Sequence, residues 1–158
     1  MKKTLDILAN VLQTISGILF IFVFAIIVAG IVSRTFLGFS ILWVSDVCNI
    51  SIAWMLAFGM SVAFHKSAHL NIDFLRDKLP PQIKKVLMIV LTSVSIVFLI
   101  TLIITGWQTT VMKMGVNLTV LNLPTGYVFM AIPVFAFLST IFMTYRLVNM
   151  VRGHLSTE

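Results

Sequence analysis

Two groups of residues in this chain could do chemistry, and both lie at the ends of long apolar runs. The first is Asp46, the only carboxylate inside such a run. An acid placed in lipid is a functional candidate because its exposure there is costly. Three roles are open to it. It could couple to a proton or cation, pair with a cation such as Arg34, or form a charge pair or hydrogen bond to another subunit. Its depth is roughly 7 Å below one membrane surface at 1.5 Å per residue. Nothing polar continues the path through the later apolar runs, which makes a transport relay a poor fit. The second group is His65, His69 and Asp73, spaced i, i+4 and i+8. On a continuous helix they would share a face, as metal ligands do. A solvated helix end bonded to loop backbone accounts for them equally, and no metal site is expected. No inner histidine faces this pair to complete a haem site, since His154 lies in the tail. There is no glycine-rich phosphate loop, no Ser/His/Asp set and no Cys/His cluster. No catalytic residue and no cofactor is expected.

The elements that must position these residues are four apolar runs, at 11–33, 41–64, 86–107 and 126–145. Each reaches about 20 residues, the length a helix needs to cross roughly 30 Å of hydrocarbon. Spanning strands would have to alternate in polarity and close into a barrel, and these runs do not alternate. The fold class read from the sequence is therefore an all-α membrane protein. It has four transmembrane helices and short amphipathic surface helices. The composition agrees: 59% of residues are apolar, 10% are charged and the mean hydropathy is +1.09. A soluble domain carries about a quarter charged residues. Residues 1–158 thus read as a single membrane domain, and the first run is too long for a cleaved signal peptide.

The net charge of +6 does not point to nucleic acid, because lysine and arginine cluster by connector. Lys2 and Lys3 precede the first span. Lys66, Arg76, Lys78, Lys84 and Lys85 fall between the second and third, and Arg146 and Arg152 follow the fourth. Only Arg34 and Lys113 lie in the other two connectors. The positive-inside rule then places both termini and the 65–85 connector in the cytoplasm. Cys48, the lone cysteine, reads as a small apolar filler.

Residues 3–10 read as an amphipathic lead-in along the cytoplasmic surface, with Leu5, Leu8 and Leu12 on one side. Ala25, Ala29 and Ser33 have the four-residue spacing that lets another helix approach closely. Asp46, Asn49, Ala53, Ala57 and Ser61 read as one polar or small face of the second helix. Trp43 suits the outer interface. Trp54 is too deep for an interfacial belt and suits a helix or subunit contact. In the 65–85 connector, Asn71 could cap a short surface helix with Ile72, Leu75 and Leu79 on one side. The Gln108–Pro124 connector reads as a segment lying on the outer surface. Pro133 is expected to kink the last helix. Asn117-Leu118-Thr119 matches a glycosylation acceptor, a weak pattern that Asn49-Ile50-Ser51 also matches within a span.

Taken in order, several short motifs resemble the small membrane subunit, the DctQ or Q type, of tripartite ATP-independent periplasmic (TRAP) transporters. They are Ser33-Arg34-Thr35-Phe36, Gly38-Phe39-Ser40, Trp43-Val44-Ser45-Asp46 and Trp54 with Gly59 five residues on. His69-Leu70-Asn71-Ile72-Asp73-Phe74-Leu75 and Leu79-Pro80 follow. The family usually has glutamate, often paired, where this chain has Ser45-Asp46. The resemblance implies a scaffold for a large multi-span membrane partner, the M subunit, that moves the solute coupled to sodium. It also implies a periplasmic solute-binding protein that delivers an organic acid, such as a C4-dicarboxylate or a sialic acid. Arg34, Trp43, Asp46, Asn49, Ala53, Trp54, Ala57, Gly59, His69 and Asp73 are the residues expected to carry structural or subunit contacts. The lipid bilayer is the remaining partner, and the membrane is the bacterial inner membrane. A competing function is an autonomous four-helix multidrug exporter built around Asp46, but such exporters carry their acid in the first helix. A haem-bearing electron-transfer subunit and an assembly factor for another complex are further alternatives.

Overall fold

In the computed structural model, residues 2–36, 38–66 and 81–151 are described. Four of their helices are long and apolar enough to cross a membrane. Helix α1 is Lys2–Phe36, α2 is Trp43–Lys66, α3 is Pro81–Lys113, α4 is the single turn Gly126–Phe129, and α5 is Ala131–Val151.

The expected surface lead-in at residues 3–10 is instead the start of α1, which runs unbroken for 35 residues, about 52 Å at 1.5 Å per residue. No proline interrupts it, and its apolar side meets protein in place of lipid. Ala9 and Leu12 are buried with Val62 and Phe142, with Leu5, Leu8, Phe58 and Leu138 packed around them. From Ala9 to Ser33 the residues that escape exposure are Ala9, Leu12, Ser16, Leu19, Val23, Ile26, Gly30 and Ser33. The alternating three- and four-residue steps make a seven-residue repeat, the period that winds two helices left-handedly around each other.

That stripe lies on α2. Gly30 has a Cβ position 3.3 Å from a Val44 methyl, and Gly59 has one 3.0 Å from Ser16 Oγ. Ser16 Oγ donates to the Met55 carbonyl at 3.0 Å, so the two backbones lie close together. Small residues do allow this approach, but they are not the ones expected. Ser33 is buried, whereas Ala25 and Ala29 are exposed. A strict four-residue step advances 400° and drifts 40° around a 3.6-residue helix, so it leaves the seam that a 3-4 repeat follows.

α2 packs next on α5, and α5 on α3. Leu99, Ala136 and Met143 form the buried centre of the second contact. Gly106 of α3 lets Pro133 of α5 approach, with its Cβ position 3.1 Å from Pro133 Cδ. The order across the membrane is therefore α1, α2, α5, α3: a row, with α1 and α3 at its ends. Within their most apolar windows the end helices are only 6% and 11% buried, against 28% and 39% for α2 and for the span that includes α5. The irregularity expected in the last span falls at Met130, between α4 and α5, where the backbone keeps a helical φ of −61° and ψ of −21°. Pro133 supplies no N–H to the Phe129 carbonyl, and its ring crowds that carbonyl.

Candidate functional site

The N-terminal end of α2 carries a polar centre. Asp46 lies in the first turn of α2, where the helix dipole favours an acid. Its side chain is buried, at 4% exposure. Asp46 Oδ2 accepts two backbone hydrogen bonds, from Val120 N–H at 2.8 Å and Leu121 N–H at 3.0 Å. Of the roles left open for it, the pairing with Arg34 is absent: no ion pair joins the two side chains among the described residues. Arg34 is exposed in the last turn of α1. The carboxylate meets its need for donors inside its own chain, a role distinct from all three read from sequence.

The donors belong to a hairpin, within the segment expected to lie as a connector on the surface. Residues 108–113 continue α3, and the chain then turns back on itself. Leu118 N–H donates to the Leu123 carbonyl at 2.8 Å, and Thr125 N–H donates to the Val116 carbonyl at 2.7 Å. An antiparallel bridge joins Asn117 and Pro124. Asn122 adopts a left-handed φ of 54°, which asparagine tolerates, and its Oδ1 accepts from Asn117 Nδ2 at 2.9 Å. The base of the hairpin is fitted to Gly126, whose Cβ position lies 2.7 Å from Met114 Sδ and 3.0 Å from the Thr110 carbonyl oxygen.

Deeper, Trp54 Nε1–H donates to the Tyr127 carbonyl at 3.1 Å, tying α2 to the single turn α4. Its ring packs at 5.6 Å from Phe58. Trp54 therefore supplies an internal helix contact. At the opposite membrane face, His65 Nε2 lies 2.9 Å from Asp6 Oδ1, and its ring is 4.7 Å from Phe142. This clasp joins α1, α2 and α5, and no motif pointed to it. The signal was present only as one acid in a basic N-terminus. His69 and Asp73, with the expected surface helix at 72–79, lie outside the described residues.

Of the stripe read on α2, Asp46, Ala57 and Ser61 are buried, Ala53 is half-buried and Asn49 is exposed. Gly59 faces Ser16 as described, and Trp43 is exposed at the start of α2. Ser61 Oγ donates to the Ala57 carbonyl at 2.7 Å and approaches the Phe135 carbonyl at 3.4 Å. Ser139 Oγ is buried without a hydrogen-bond partner. The carbonyl it would ordinarily reach, four residues back, is the Phe135 oxygen that Ser61 approaches. Among the described residues no three His, Cys, Asp or Glu side chains gather to hold a metal ion.

Among the described residues the one buried carboxylate is occupied by backbone donors, and the helices pack as a row. Residues 23–153 match the family model described as the DctQ component of tripartite ATP-independent periplasmic transporters. The chain belongs to the DctQ family. This DctQ chain is thus a transporter component and not an enzyme, a multi-pass subunit with four membrane-spanning helices. It is 27% identical over 146 residues to the sialic acid TRAP transporter small permease protein SiaQ of Vibrio cholerae, covering 92% of this chain and 82% of that protein. It is also 33% identical over 73 residues, 46% of this chain, to the sialic acid TRAP transporter permease protein SiaT of Haemophilus influenzae. That match spans only 12% of the Haemophilus protein's length.

Proposed function

We propose that this DctQ chain is the static brace of a sodium-coupled TRAP transporter that takes up an organic acid, of the sialic acid or C4-dicarboxylate type. It works with a large multi-span membrane subunit and a periplasmic solute-binding protein. The observation that carries the reading is the row of helices, in which the only buried carboxylate among the described residues already holds two backbone amides. A row of this kind offers a partner broad faces and offers a solute no enclosed path. Both relatives are sialic acid TRAP transporter proteins, which favours a sialic acid. The Haemophilus relative favours the large partner. It carries a segment similar to this one within a permease polypeptide several times longer. Two pieces joined in one organism and separate in another are expected to assemble.

Both termini lie in the cytoplasm in this reading, because nine of eleven basic residues fall on that side. The outer hairpin then faces the periplasm, beside the residues that a binding protein would meet. The exporter alternative needs a free acid, and Asp46 is engaged. The test is reconstitution in liposomes. Uptake of sialic acid driven by a sodium gradient should require this chain, the large subunit and the binding protein together. Flux through liposomes containing this chain alone would overturn the reading.

A further inference from the structure

The row leaves the carboxamide of Asn49 open at membrane depth. Asn49 is exposed on α2, about 9 Å along the helix axis from Trp43 at 1.5 Å per residue. Among the described residues nothing hydrogen-bonds its carboxamide. Thr101, Thr105 and Thr109 of α3 each donate to the carbonyl four residues back, at 3.0, 2.9 and 2.8 Å, and so can face acyl chains. A carboxamide has two donors and an acceptor, and lipid can satisfy none of them. Below Asn49, Leu56 and Met60 are exposed on the same side of α2 at steps of seven and four residues. Above it, Ser45 is exposed one turn away. These residues make a narrow strip on a broad side of the row, flanked by α1 and α5.

We propose that this strip, Ser45–Asn49–Leu56–Met60, is the seat for a transmembrane helix of the large permease subunit, and that the helix hydrogen-bonds the Asn49 carboxamide. The inference rests on the reading of the chain as a subunit of a larger transporter. Lipid fails as the occupant because it leaves the carboxamide unpaired. A second copy of this chain is disfavoured by the Haemophilus relative, where a similar segment lies within a longer permease polypeptide. The occupant needs a polar side chain or a bared carbonyl level with Asn49, and small residues beside it so that the helices close.

The test uses the whole complex, purified in detergent through a tag on this chain. A photo-crosslinking amino acid is placed at Asn49, Leu56 or Met60. Each site should yield an adduct with the large permease. Asn49→Leu should weaken its co-purification about 3- to 15-fold, the range measured for interhelical hydrogen bonds in membranes, and Asn49→Gln should retain more than Asn49→Leu. The substituted residue is exposed, so the chain itself should still fold. If the permease co-purifies but all three sites label only lipid or a second copy of this chain, the proposed seat is wrong and the subunit reading stands. Equal retention by the leucine and glutamine variants would also overturn the seat. If no large permease co-purifies with the unaltered chain, the subunit reading falls and the seat falls with it.

Discussion

Removing the Asp46 carboxylate should release the hairpin at 116–125 while leaving the four spans in place. A hydrogen bond to a charged acceptor contributes about 1.5–3 kcal/mol when its donor has no substitute. Asp46 accepts two of them, at 2.8 and 3.0 Å. The donor residues are not sealed from water, since Val120 is exposed and Leu121 half-buried, so water recovers part of the loss. A net cost of about 2 kcal/mol for Asp46→Leu follows, or roughly a 30-fold rise in the open population of the hairpin. Asp46→Asn keeps a carbonyl acceptor but loses the charge, for about 1 kcal/mol and roughly 5-fold. Hydrogen–deuterium exchange in nanodiscs reads this directly. Peptides spanning 116–123 should exchange faster in the order Leu, Asn, unaltered chain, while amides around Leu99 in the middle of α3 stay protected. If exchange at 120 and 121 is the same in all three proteins, the latch does not hold the hairpin and the argument fails. Uniform acceleration throughout α3 would mean that Asp46 supports the whole fold, which would equally refute a local latch.

Three more outcomes follow from single contacts. Gly126→Ala puts a methyl 3.0 Å from the Thr110 carbonyl oxygen and should lower thermal stability by about 1–2 kcal/mol, seen as a lower Tm in detergent. Trp54→Phe removes the donor to the Tyr127 carbonyl and should cost about 1 kcal/mol; a Tm equal to that of the unaltered chain would show the bond to be dispensable. Ser139→Ala deletes a buried hydroxyl that has no partner, so its stability should be unchanged or raised by up to about 1 kcal/mol, and a clear loss would reveal a hidden acceptor.

The number and type of the spans were legible because lipid imposes a one-dimensional rule: every backbone group must be paired within its own segment, and about 20 apolar residues are needed. The motifs from Ser33-Arg34 to Leu79-Pro80 likewise pointed to the family through local order alone. The candidate site was legible only in part. Asp46 stood out as an acid in an apolar run, but its partners are two backbone amides more than seventy residues away, and an amide has no sequence signature. Arg34 was the visible cation of matching depth, yet depth does not say which side of a helix a residue occupies. The clasp of Asp6 and His65 was hidden for the same reason, since the two meet only because α1 continues straight where an amphipathic pattern suggests a bend.

By itself the sequence determined that this chain crosses the membrane four times, through helices, with its basic residues gathered at one side. Helix pairing was left to tertiary structure, because in lipid every outer face is apolar and hydrophobicity no longer distinguishes a contact from a surface. Close fit decided it instead: Gly30 on Val44, Gly59 on Ser16 and Gly106 on Pro133 set the order α1, α2, α5, α3. That order buries Asp46 under its own hairpin and leaves Asn49 uncovered.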